Sequence, residues 1–139
     1  MTLRFEGRDG FVVSMLCHQC YSWLPAIAED LRHIQALNDG WDCGSGRAVK
    51  STCVQTAFSL LNQIMRTDTV APRISPLPNG GLQLEWQTAN MLLQFEIDPL
   101  SNINAYFRTE DVDDEFPVSL IDDSKMAPIA ERLELAACT

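Results

Sequence analysis

Three sets of side chains in the sequence have identities suited to a reaction centre. The first is Glu85, Glu96 and Tyr106, spread along segments that alternate polar and apolar residues between positions 82 and 108. Glycoside hydrolysis uses a pair of carboxyl groups about 5–9.5 Å apart. Two glutamates on neighbouring strands, diagonally offset, allow a separation of that order. A small hydrolase using Glu85, Glu96 and Tyr106 is therefore the most concrete enzymatic option. The competing reading is a solvated or protein-binding face, since Glu, Gln and Asn are what the wet side of any half-exposed sheet requires. The weight lies with that reading and against catalysis.

The second set is Cys17-His18-Gln19-Cys20, a C-x-x-C. Dithiol redox chemistry needs this motif at a helix start after a strand, within a βαβ unit. No parallel βαβ pattern follows. Structural zinc usually needs a second ligand pair, and His18, His33, Cys43 and Cys53 are single and scattered. The pair reads as incidental or as core. Five cysteines, an odd number, in a chain without an export signal fit reduced thiols in a cytoplasm.

The third set is the run Leu37-Asn38-Asp39-Gly40-Trp41-Asp42-Cys43-Gly44-Ser45-Gly46. No mechanism is complete there. Gly44-Ser45-Gly46 lacks the strand and the base of a nucleophile elbow. It also lacks the third glycine of a dinucleotide fingerprint. Asp39 and Asp42 resemble half an EF-hand, but the twelfth position from Asp39 is Lys50 rather than a bidentate Glu. No metal or cofactor is expected. Asp39, Gly40, Trp41, Asp42, Gly44 and Gly46 read instead as a compact structural loop. The glycines reach positive φ, the aspartates cap backbone N–H groups, and Trp41 is a buried plug between two helices. Asp42 would then lie near the start of the second helix, where a negative charge is favourable. The alternative is Trp41 as an exposed aromatic anchor for a partner.

The elements that position these residues follow from periodicity. Residues 1–20 read as a hairpin turning at Gly7–Gly10. Trp23, Ile27, Leu31 and Ile34 mark a helix over 22–37, with Ser22 as N-cap, Pro25 in its first turn and Glu29, Asp30, Arg32 and Gln35 on the wet side. A second helix spans Ala48–Met65, with Val49, Cys53, Ala57, Leu60, Leu61 and Ile64 on one stripe. Residues 73–108 form an antiparallel meander. Pairing Leu84 with Phe95, Trp86 with Leu93 and Phe95 with Ala105 sorts Leu82, Leu84, Trp86, Leu93, Phe95, Ile97, Ile103, Ala105 and Phe107 onto one face. A one-residue slip would invert that sorting. Placing Ile74 on the same face requires a three-residue turn with a bulge at Asn79–Gly81. The opposite face carries Gln83, Glu96 and Asn104 in one row, Glu85, Gln94 and Tyr106 in the next, and Gln87, Leu92 and Arg108 in a third. A short edge strand at Phe116–Ile121 and a helix beginning near Pro128, with Ile129, Leu133 and Ala136 inward, complete the chain. The fold class is α+β in two layers: an antiparallel meander of three to five strands, two central helices packed on one face, and a C-terminal helix. Residues 1–139 form a single domain.

The net charge of −9 is localised. Residues 1–84 balance seven Lys/Arg against seven Asp/Glu, whereas residues 85–139 hold three bases and twelve acids. Between Glu110 and Asp123 there are seven acids and no base. Such a surface repels phosphate, which argues against direct nucleic-acid binding. It reads as a solvated acidic loop, or as a lure for a basic partner. No apolar run approaches a membrane span, and Phe11–Cys17, preceded by Glu6 and Asp9, is no signal peptide. The chain is expected in the cytoplasm.

One resemblance bears on this reading. Leu37, Gly40, Trp41, Asp42, Gly44 and Gly46, followed by Pro72, Ile74, Pro76, Asn79, Gly80, Gly81, Leu82, Leu84, Glu85 and Trp86, resemble small, uncharacterised bacterial proteins often encoded on mobile or accessory genomic regions. Their pattern is close to L-x-x-G-W-D-G-x-G-A, then a helix, then a G-G-L-x-L-E-W strand. Cys43 stands where glycine is usual, and Arg47 where a small residue is common. The resemblance spans roughly residues 31–108 and supplies no catalytic residues. It implies an accessory role in a bacterium, phage or plasmid. The expected function is non-enzymatic binding of another protein, antitoxin-, immunity- or anti-defence-like. The partner-facing residues are Glu85, Gln94, Glu96, Tyr106, Arg108, Glu110, Asp111, Asp113, Asp114 and Glu115. The partner is a protein with a basic surface, or a second copy in a homodimer. A structural subunit of a larger phage or bacterial complex is the third option.

Overall fold

The computed structural model describes residues 2–6, 12–16, 23–66, 69–120 and 126–137. Strands β1 (Thr2–Glu6) and β2 (Val12–Leu16) form the expected N-terminal hairpin. Two helices follow, α1 (Leu24–Gln35) and α2 (Ser51–Ile64). Then come β3 (Arg73–Pro76), β4 (Leu82–Gln87), β5 (Leu92–Ile97), β6 (Ile103–Arg108) and β7 (Asp113–Val118), and finally α3 (Met126–Ala137). The last five strands form one antiparallel sheet in sequence order. Helix α2 lies on β4 and β5, α1 lies against α2 and β3, α3 packs on α2, and the β1–β2 hairpin rests on both α1 and α2. This is the α+β arrangement read from the sequence.

The register of the central strands follows the sorting of apolar side chains. Leu82 pairs with Ile97, Leu84 with Phe95 and Trp86 with Leu93. Phe95 pairs with Ala105, Leu93 with Phe107 and Ile97 with Ile103. All nine of the apolar-face residues read from the sequence are buried. Trp86 meets Phe95 edge to face at 5.9 Å between ring centres, a favoured aromatic geometry. Ile74 pairs with Leu84 across a three-residue connection, Pro78 to Gly80, closed by the Gly80 N–H on the Leu77 carbonyl. Gly80 takes φ +93 and supplies the left-handed residue that such a turn requires.

Several boundaries differ from the sequence reading, each for a tertiary reason. Helix α1 starts at Leu24 with Trp23 in the N-cap position, where it makes no side-chain cap. Ser22, expected as N-cap, lies outside the described residues, as do Cys17, His18 and Cys20. The Trp23 indole instead donates to the Arg66 carbonyl at 3.1 Å, fastening the start of α1 to the end of α2. Gln35, placed on the wet side of α1, is buried, because its amide donates to Ser51 Oγ at 3.1 Å across the helix pair. Helix α2 begins three residues later than expected. Residues 47–50 are held extended by the Arg47 N–H on the Pro78 carbonyl and the Lys50 N–H on the Gly80 carbonyl, 2.9 and 3.0 Å. Helix α3 begins two residues before Pro128, which sits in its first turn where a missing N–H is harmless. The edge strand runs over Asp113–Val118 rather than Phe116–Ile121. Three of the seven acids of the run, Asp113, Asp114 and Glu115, thus lie on a strand rather than a loop. Its register is set by a tight turn at Glu110-Asp111, where the Thr109 N–H donates to the Val112 carbonyl at 2.8 Å.

Candidate functional site

The face of the meander turned away from the helices is polar, as the register requires. Glu85, Gln94 and Tyr106 lie in one row, extended by Arg73 of β3 and Glu115 of β7. Gln83, Glu96 and Asn104 form the next row, between Ser75 and Pro117. Gln87, Leu92 and Arg108 form the third, ending at Asp113. The acidic run and the sheet face therefore join into one surface.

Glu85, Glu96 and Tyr106 divide between two hollows. Glu96 and Tyr106 line a shallow hollow of about 280 Å³ with Gln94, Asn104 and Glu115. Glu85 lines another of about 290 Å³ with Arg73, Trp86, Gln87 and neighbours at the far end of β3 and β4. The carboxylate beside Glu96 and Tyr106 is Glu115, whose Oε1 accepts from Asn104 Nδ2 at 2.6 Å. A third hollow, about 320 Å³, continues past Glu96 and Asn104 to Asp98, Asn102 and Pro117. Together the first and third form a trough bearing Glu96, Asp98 and Glu115. Asp98 is held below the usual carboxylate range by the Asn102 backbone N–H, then by the Asn102 side-chain amide, then by the Leu100 N–H. Its carboxylate is thus already committed to shaping the β5–β6 turn. Nothing in the trough offers a nucleophile with a base behind it. Its chemistry is that of a row of hydrogen-bond acceptors suited to cationic side chains.

The loop at 37–46 is a self-closed clasp. Asp42 Oδ1 accepts from the N–H groups of Gly44 and Gly46 at 3.0 and 2.9 Å, and Asp39 Oδ1 accepts from the Ala48 N–H at 2.8 Å. Gly40 and Gly46 close the ring through their backbones at 2.6 Å. An added Cβ at Gly46 would sit 2.6 Å from the Asp42 carboxyl carbon, so that carboxylate would have to move away from its N–H donors. Trp41 is not the buried plug expected. It is half-buried outside the core, and its indole donates to the Arg47 carbonyl at 2.8 Å, within the loop. Asp42 lies nine residues before α2 and stabilises the loop, not the helix N-terminus. Both aspartates are occupied by backbone donors. Among the described residues, no group of three or more His, Cys, Asp or Glu side chains is placed to hold a metal ion.

Cys43 takes φ +62 and is solvent-exposed. A left-handed conformation costs an L-residue about 1–2 kcal/mol, and glycine returns part of that through its freer unfolded chain. Cys43→Gly is expected to raise stability by up to about 1 kcal/mol, read as a higher urea midpoint at unchanged slope. An unchanged or lower midpoint would show that the thiol side chain contributes more than the backbone strain costs.

The remaining candidates are structural. Cys53 is buried on α2, where its thiol donates to the Asp98 carbonyl at 3.1 Å. Burial, then the nearby Asp98 charge, push that thiol up and away from reactivity. His33 is exposed on α1, with Nε2 3.3 Å from Glu29 Oε1. No helix among the described residues is long and apolar enough to cross a membrane. Comparison with known proteins gave no match: no family model, no curated protein and no solved structure aligns with the chain.

Proposed function

We propose that this chain is a non-enzymatic, protein-binding accessory protein of a bacterium or mobile element, acting in the cytoplasm as an antitoxin-, immunity- or anti-defence-like inhibitor. The observation that carries the reading is the union of the polar sheet face with β7. Among the described residues, Glu85, Glu96, Asp113 and Glu115 share that face with two cations, Arg73 and Arg108. Glu110 and Asp111 add charge at one end and Asp98 at the other. A broad acidic surface on a rigid sheet suits a basic protein partner and speeds its encounter. The loop and hairpin that carry the resemblance to accessory-region proteins are hydrogen-bonded to each other, Arg47 to Pro78 and Lys50 to Gly80. That contact supports reading the two segments as one unit. The hydrolase reading is weaker, because its two glutamates line separate hollows.

The test is affinity capture from the source cell with wild-type protein and the double variant Asp113→Lys, Glu115→Lys. The expected result is one dominant basic partner, captured by the wild type at low salt and lost by the variant at equal thermal stability. Capture unaffected by the charge reversal would sink the acidic-surface reading.

A further inference from the structure

The sheet has two outer edges, and they are not equivalent. Hydrogen bonds in the turns fix which backbone groups point outward. Thr109 and Val112 form a hydrogen-bonded pair, so counting along the register makes Asp114, Phe116 and Val118 the residues bonded to β6. The N–H groups of Asp113 and Glu115, and the carbonyls of Asp113, Glu115 and Pro117, therefore point away from the sheet. Pro117 falls where its missing donor disturbs no ladder bond. The same counting from the Leu77–Gly81 pair leaves β3 one outward N–H, that of Ile74, because Pro76 has none. Asp113, Asp114, Glu115 and Pro117 are exposed, and Phe116 and Val118 are only partly buried against the core.

We infer that β7 is a strand-addition site for an extended segment of a partner protein in which Lys or Arg alternates with apolar residues. This deepens the protein-binding reading above and rests on it. An added strand forms two-way backbone pairs at Asp113 and Glu115 and one further bond to the Pro117 carbonyl. Its side chains on the polar face fall beside Asp113 and Glu115, where opposite charge is favoured. Those on the other face extend the apolar layer beyond Phe116 and Val118. A second copy of this chain does not fit. Any symmetric β7–β7 pairing that uses both outward N–H groups sets acid against acid.

The probe is a fluorescein-labelled ten-residue peptide alternating lysine and valine, added to the full chain. Amide exchange by NMR reads the backbone contact. Binding is expected to slow exchange at Asp113 and Glu115 by at least about tenfold, leaving Asp114 little changed. Two variants separate backbone from charge. Glu115→Gln keeps the outward N–H, whereas Glu115→Pro removes it without touching the β6 ladder. Glu115→Pro is expected to bind about tenfold more weakly than Glu115→Gln in fluorescence anisotropy. Unchanged exchange at saturating peptide overturns the proposal, and so does equal affinity of the two variants. In either case β7 is an edge whose acids only guard against aggregation. If Glu115→Pro fails to fold, exchange in the wild-type chain still decides. A captured natural partner that tolerates Glu115→Pro would leave the protein-binding reading standing and remove strand addition. Peptide protection without a captured partner would do the reverse.

Discussion

Gly81→Ala is expected to cost about 3 kcal/mol or more, enough to leave little native protein at 37 °C. An added Cβ at Gly81 would fall on the Ile97 carbonyl oxygen, in the backbone of the adjacent strand. No rotamer change relieves a clash with backbone, so the β4 and β5 ends must separate. That movement pulls Leu82 and Ile97, both fully buried, away from each other. Gly80→Ala provides the comparison. Gly80 has φ +93, and its added Cβ would lie 3.3 Å from the Ala48 carbonyl, a tighter contact than usual but one with room to relax. Its cost is expected to be about 1–2 kcal/mol. Urea unfolding followed by tryptophan fluorescence measures both. A Gly81→Ala cost no larger than that of Gly80→Ala would contradict the close approach of the two strands.

The second large effect is a coupling. Gly46→Ala is expected to cost about 2 kcal/mol, because the new methyl group displaces the Asp42 carboxylate from its two N–H donors. Asp42→Ala removes the same two bonds and is expected to cost a similar amount. The double variant should then be barely worse than either single one, since the methyl group has nothing left to displace. A double-mutant cycle reads this as an interaction energy of about 2 kcal/mol. Additive costs would mean that Gly46 is required for some reason other than Asp42.

What the sequence disclosed, and what it withheld, follows from the range of the forces involved. The register of β4, β5 and β6 was legible because only one parity puts all nine of these apolar residues on one face. The loop chemistry of Asp39 and Asp42 was legible because both bond to backbone within nine residues. The start of β7 was hidden. Asp114 occupies an apolar-face parity opposite Phe107 at the open end of the sheet, so the alternation breaks just where the strand begins. The usable signal was Pro117 together with a two-residue turn at Glu110-Asp111. Ala48 and Val49 continue the apolar rhythm of α2, so the pattern alone extends the helix three residues beyond its start at Ser51. Val49 is indeed buried, but from an extended segment held by bonds to a hairpin some thirty residues away. Gln35 looked solvated for the same reason: its partner Ser51 belongs to another helix. At the candidate site, the rows were readable, whereas the division of Glu85 from Glu96 depended on Arg73 and Glu115, contributed by the two outermost strands.

Helix α2 is riveted at both ends. At one end the Lys50 N–H and the Cys53 thiol reach the β3–β4 and β5–β6 turns. At the other, Gln63 Nε2 donates to the Leu120 carbonyl at 2.9 Å, and the Arg66 carbonyl receives the Trp23 indole. Sliding this helix along its axis, a common way for proteins to relay a signal, would break attachments at both ends together. A protein built this way has no piston. If the acidic surface takes a partner as proposed, these attachments oppose relay through α2 to the far side, and inhibition would come from obstruction. Its potency should then depend on affinity and on how much of the partner it covers.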